Sequence, residues 1–247
     1  MLTRNFLPTT SSRRTDGKIF HDITVAGKAC VLKRILAREE FQVDELIHRV
    51  FAHTDLANRM RNEKADIDFV RRNTTFPVPE VLFYLDESDG VYLGSERVQG
   101  IRMDKIEDEQ AKATAIEQLN SFTRELAKLR SPTIRGFPRV PCFPLAIKKN
   151  RPRTVTQQWA RNDQEGYPLC HGDLHEGNVI VDPDTMRAKA VLNWDHCGFY
   201  PAEVDAPRCQ KGRRWVVQPD GTCNDHYEEY ERAANQKLAD LLIFNVE

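Results

Sequence analysis

The stretch that most constrains this chain is YPLCHGDLHEGNVIVDPDTMRAKAVLNWDHCGFYP, residues 167–201. Val179–Val181 and Ala190–Leu192 are short apolar runs joined by DPDTM, a turn-forming cluster, and together they predict a β-hairpin. A hairpin sets whatever precedes its first strand beside whatever follows its second. The polar loop His171–Asn178 and the polar end Asn193–Asp195 should therefore converge on one spot.

Those two clusters suit phosphoryl transfer. Asp173 can accept or orient a hydroxyl proton, the Asn178 amide oxygen five residues on can bind Mg²⁺, and the neighbouring strand end can add oxygen ligands. Upstream, Lys18–Thr24 and Ala29–Arg34 flank the turn VAGK and predict a second hairpin, with Lys33 near its end. Leu56, Met60, Glu63, Ile67 and Val70 follow at helical spacing on one stripe, with Glu63 the intruder among apolar residues. An acid in that position must either reach the rim or meet a cation, because an unpaired buried carboxylate costs several kcal/mol. VLFYL and GVYLGSERV predict two further strands, and Ile116, Leu119, Phe122, Leu126 and Leu129 a long amphipathic helix. A weak strand at Asn5–Leu7 and a hydroxyl-rich loop, PTTSSRRTDG, are expected before the first hairpin.

HGDLHEGN resembles the H-x-D-x-x-x-x-N catalytic loop of the aminoglycoside phosphotransferase family, and LNWDHCGFYP its I-D-W-E segment followed by the G-F-Y-P of fungal-type members. CVLKR, the glutamate helix with its V-P segment, and ERVQG are similar to that family's strand lysine, helix and lobe hinge. The resemblance implies a two-lobed α+β protein-kinase-like fold. It places a β-rich N-lobe with one main helix at residues 1–97 and a larger helical C-lobe, carrying the catalytic loop and acceptor site, at 98–247. It implies ATP and Mg²⁺ as cofactors and transfer of the γ-phosphoryl group to a hydroxyl of a small molecule.

Residue by residue, Asp173 and His171 are the catalytic-loop candidates, with His171 expected to brace the loop. Lys33, Glu63 and the backbone near Arg97 and Val98 are implied for the nucleotide. Asn178, Asn193 and Asp195 are the metal candidates. The departure is Asn193, an amide where the family has a metal-binding aspartate, which subtracts a negative charge from a hard-cation site. Three readings stay open. Asp195 takes over the metal, the site is a degenerate or redirected binder of a small metabolite, or the amide is a deliberate change that stalls the enzyme. PTTSSRRTDG would cover the phosphates, with Arg13 or Arg14 touching them. Trp194 is expected in the core, and His175 and His196 at a solvated cleft rim.

Composition narrows the partners. Lys plus Arg (36) nearly balance Asp plus Glu (37) over 247 residues, so no overall field recruits nucleic acid or an anionic membrane. The basic run KKNRPR is expected to be a solvated face. The six cysteines form no C-x-x-C pair, which fits reduced thiols in a cytoplasmic protein. The first residues lack the apolar core of a signal peptide, and no window reaches the ~18 apolar residues of a membrane span. Neither the acceptor nor the oligomeric state is legible.

Overall fold

The computed structural model describes residues 12–15, 17–36, 43–44, 49–50, 56–87, 90–137, 158–159, 162–202 and 242–243. Strand β1 (Ser12–Thr15) pairs antiparallel with β2 (Lys18–Val25), and β2 with β3 (Lys28–Ile35). Residues 12–15 thus belong to a strand rather than to the loop expected there, and Thr15 pairs with Lys18 across a turn carrying Gly17 at φ 74°. The rest of that segment and Asn5–Leu7 lie outside the described residues. In the β2–β3 turn both Ala26 and Gly27 have positive φ, 49° and 80°, the geometry whose twist matches a tight hairpin.

Helix α1 (Leu56–Asn73) follows, then β4 (Val81–Glu87) and β5 (Gly90–Glu96). The five strands form one antiparallel sheet in the order β1-β2-β3-β5-β4. Met60 of α1 packs with Val91 and Leu93 of β5, all nearly sealed from solvent, so the apolar stripe of the helix covers the sheet.

Beyond residue 100 the chain makes small ladders around a helical core. Helix α2 (Glu109–Leu126) starts where the Asp108 carboxylate caps the Gln110 and Ala111 amides. Strands β6 (Ile101–Arg102), β9 (Val179–Val181) and β10 (Ala188–Val191) form one sheet in the order β10-β9-β6. Strands β7 (Arg130–Ser131), β8 (Tyr167–Cys170) and β11 (Gly198–Phe199) form another in the order β11-β8-β7. The β9–β10 pair is the hairpin read from the sequence, with Val179 opposite Val191.

A single apolar cluster joins α1, α2 and these ladders through Ile67, Val70, Leu119, Leu126, Trp194 and Phe199. Trp194 is fully buried and donates from Nε1 to the Val191 carbonyl at 2.8 Å, so its indole is a core residue as expected. Most of IKKNRPRTVTQQWARND, and with it KKNRPR, lies outside the described residues.

Candidate active site

Two turns bring the candidate residues together. Gly172 sits at φ 78°, and a Cβ there would lie 2.2 Å from the His196 carbonyl oxygen, so only glycine lets the His171–Asn178 loop reach the 193–196 turn. Asn193 itself is left-handed, at φ 63° and ψ 62°, a conformation that Asn tolerates better than most residues. From these turns a directed string of hydrogen bonds crosses the cleft. Lys33 Nζ donates to Glu63 Oε1 and Oε2 at 2.6 and 2.7 Å and to Asn193 Oδ1 at 3.3 Å. Asn193 Nδ2 donates to Asn178 Oδ1 at 2.6 Å, and Asn178 Nδ2 to the Asp173 carbonyl at 2.8 Å and to its Oδ2 at 3.1 Å.

The polarity of the string leaves no choice of amide orientation. Lys33 can only donate, so it meets the Asn193 oxygen, and the Asn193 amino group must then face Asn178. An aspartate at 193 has no proton to give at neutral pH. It would set a carboxylate oxygen against the Asn178 oxygen, a juxtaposition that needs a cation between them. The asparagine fills that gap with a hydrogen bond.

Asp173 is largely buried. Burial pushes its carboxyl up, but the His175 imidazole, whose Nε2 lies 3.6 Å from Oδ2, and the neighbouring His196 and His171 more than offset this and hold it below the usual carboxylate range. His171 is fully buried; its Nδ1 accepts from the Asp173 amide at 3.2 Å and its Nε2 donates to the Leu192 carbonyl at 3.0 Å. Burial lowers its pKa to about 4, so the ring is neutral and braces the loop. His171 is thus a positioning residue in this geometry, because both ring nitrogens are occupied by backbone. Glu176, in the same loop, is tied to α2 by buried Lys112 at 3.1 Å.

Asp195 does not join the string. Its Oδ2 accepts from Lys18 Nζ at 2.6 Å and from Arg59 Nη2, and all three side chains are nearly inaccessible. Burial alone would raise its carboxyl, but the Lys18 and Arg59 charges hold it well below the usual range. The expectation that Asp195 supplies a metal ligand therefore meets a carboxylate already committed to two cations. Burial also pushes the Lys33 ammonium down, Glu63 pulls it up, and the charge of Lys18 pushes it down further. At the hinge, the Arg97 amide donates to the Ala29 carbonyl at 2.9 Å and its guanidinium pairs with Asp22 at 2.7 Å. That amide is spent on the sheet and is not available to adenine; Val98, half-buried, carries no such bond among those described.

Residues missed from sequence complete the picture. Lys18 lies two before Phe20, which faces Lys33 in the β2–β3 register, so period-two alternation puts Lys18 and Lys33 on one face of the sheet. Arg59, Asn62 and Asp66 recur at helical spacing beside Glu63, a polar stripe facing the 195–197 turn. Asn62 Nδ2 donates to Asp66 Oδ2 at 2.6 Å and to the Cys197 carbonyl at 2.9 Å, and burial raises the Asp66 carboxyl well above the usual range. His196, expected at a wet rim, is buried and its Nε2 lies 2.6 Å from Arg59 Nη2.

A β-rich lobe and a helical lobe, joined by Lys33, Glu63 and the His171–Asn178 loop, define a protein-kinase-like fold. The Phosphotransferase enzyme family model matches residues 34–241, and the chain belongs to that family. Solved structures agree on the fold. It is similar to aminoglycoside phosphotransferase APH(3'')-Id from Streptomyces rimosus, with 16% identity and a TM-score of 0.56 over 96% of this chain and 87% of that one. The complex of that enzyme with ADP and streptomycin matches at 17% identity and a TM-score of 0.52, over 92% of this chain and 87% of that one. The aminoglycoside-3'-phosphotransferase of type VIII matches at 15% identity and a TM-score of 0.53, over 99% and 91%. No curated protein sequence matches it. Among the described residues no helix is long and apolar enough to cross a membrane.

Proposed function

We propose that the cleft binds ATP and transfers its γ-phosphoryl group to a hydroxyl of a small molecule. One observation carries this: Lys33, Glu63, Asn193, Asn178 and Asp173 form a continuous hydrogen-bonded string across the two lobes. The nucleotide would lie against residues 1–97, with Val98 beside adenine, and the acceptor against 98–247. Asp173 takes the proton of the attacking hydroxyl; the acceptor oxygen bonds to the γ-phosphorus while the bond to the β–γ bridging oxygen breaks, and ADP leaves with that electron pair. The proton then passes from Asp173 to solvent. A solved relative bound to ADP and an aminoglycoside supports the substrate classes, a nucleotide and a small polyhydroxylated molecule. Cys30, Cys170 and Cys197 are buried thiols, which supports a cytoplasmic location.

Magnesium, the second cofactor that the resemblance implies, is poorly matched by these donors. Asn178 Oδ1 already accepts from Asn193, while Glu63 and Asp195 are held by cations and Asp173 Oδ2 by the Asn178 amide. The same Asn178–Asn193 bond favours a second reading, a nucleotide or metabolite binder that transfers nothing.

Incubating the chain and its Asp173→Asn variant with labelled ATP and a library of hydroxyl compounds separates the two. Phosphorylated product that disappears in the variant while ATP binding persists supports transfer. ATP binding without product across the library rejects it in favour of the binder.

A further inference from the structure

Positive charge in the cleft is spread unevenly over its donors. An ammonium has three N–H groups. Lys33 turns them to three acceptor atoms, both Glu63 carboxylate oxygens and Asn193 Oδ1. Lys18 has one: among the described residues its hydrogen-bond partner is Asp195 Oδ2, although the side chain is only 6% exposed. That one oxygen also serves Arg59, which is 3% exposed and whose Nε and Nη1 have no hydrogen-bond partner among the described residues.

Among the described residues on the sheet side, then, Lys18, Lys33 and Arg59 face two carboxylates, Glu63 and Asp195. Arg59 shares Asp195 and leaves the charge of Lys18 without a full counter-charge among them. Such an excess is costly to bury unless an anion joins it. Lys18 shares a sheet face with Lys33 and follows directly on the Gly17 turn, so a phosphate brought to one ammonium is brought to both.

The asparagine pair completes the pattern from the opposite side. Where two oxygens would need a cation between them, Asn193 supplies an N–H bond.

We propose that this cleft holds the phosphates of a nucleoside triphosphate without a divalent cation, the Lys18 ammonium supplying the charge that a metal would bring. The inference rests on the nucleotide site proposed above and specifies how that site meets its ligand.

Calorimetric titration of the full chain with ATP, in EDTA and in magnesium chloride, tests it. The unaltered chain should bind ATP in EDTA within about threefold of its affinity in magnesium. Lys18→Met should weaken binding in EDTA by about 10- to 100-fold, the loss expected for one charge-assisted hydrogen bond. Lys18→Arg should retain most of it, and Asn193→Asp should make binding depend on magnesium. Lys18→Gln, which keeps a donor for Asp195 but no charge, serves if the methionine variant does not fold. A fall of tenfold or more when EDTA replaces magnesium in the unaltered chain overturns metal independence and leaves the nucleotide site standing. Lys18 variants that bind as the unaltered chain overturn the role of Lys18. No ATP binding in either buffer refutes the nucleotide site itself.

Discussion

Acid should loosen this fold well before its ion-paired carboxylates titrate, and His171 is the reason. The ring is sealed between the Asp173 amide and the Leu192 carbonyl and stacked edge-on against Trp194 at 4.6 Å, and burial takes its pKa from 6.5 to about 4. A histidine depressed in the folded state binds its proton more readily once unfolded, so its contribution is complete above the unfolded pKa and fades as pH drops toward the folded one. Over that shift, the loss comes to about 2 kcal/mol by pH 5 and approaches about 3 kcal/mol near pH 4. Asp66 acts with the opposite sign. Its raised carboxyl stabilises the fold at low pH and gives that up as pH rises past the ordinary carboxylate value, so the net curve of the native chain understates the histidine.

The difference between native chain and His171→Gln removes Asp66 from the comparison. Urea unfolding followed by Trp fluorescence at intervals from pH 8 to pH 4.5 should show the native chain losing stability relative to the variant by about 2 kcal/mol across this window. Parallel curves for the two proteins would refute the account of His171 as a buried neutral brace.

Lys33→Met should strand Glu63 in a nearly sealed site and destabilise the fold by about 3–5 kcal/mol, while Lys33→Met with Glu63→Leu recovers most of that; chemical denaturation of the three proteins checks it. Gly172→Ala should cost about 1–3 kcal/mol, because a Cβ would press on the His196 carbonyl at 2.2 Å in a left-handed backbone. Its thermal midpoint should fall, and an unchanged midpoint would contradict the close approach of the two turns.

Much of the site was legible because hairpins and helices have fixed periods. The turn DPDTM and two apolar runs were enough to bring Asp173, Asn178 and Asn193 together, whereas the acid on the apolar stripe met Lys33 only once the catalytic-loop resemblance was added. What escaped was pairing that no local period announces. Lys18 looks like any polar residue after a turn until the β2–β3 register sets it beside Lys33, and Arg59 declares itself only when the 193–196 turn brings Asp195 to it. The same blindness misplaced Asp195: two residues beyond Asn193 suggests a shared side of an extended strand. The chain instead turns left-handed at Asn193 into a short 3₁₀ segment, so the two side chains part company. At the hinge, the bond that takes the Arg97 amide was equally illegible, since only the sheet order reveals it.

The Asp195 carboxylate ties three distant parts of the chain at one point, the strand of Lys18, the helix of Arg59 and its own turn. Swinging the lobes apart would strip two cations of their counter-ion at once, a motion opposed by desolvated charge on both sides. The two lobes are consequently pinned to each other at this one carboxylate, and only an anion able to take its place beside Lys18 and Arg59 could release them without leaving buried charge bare.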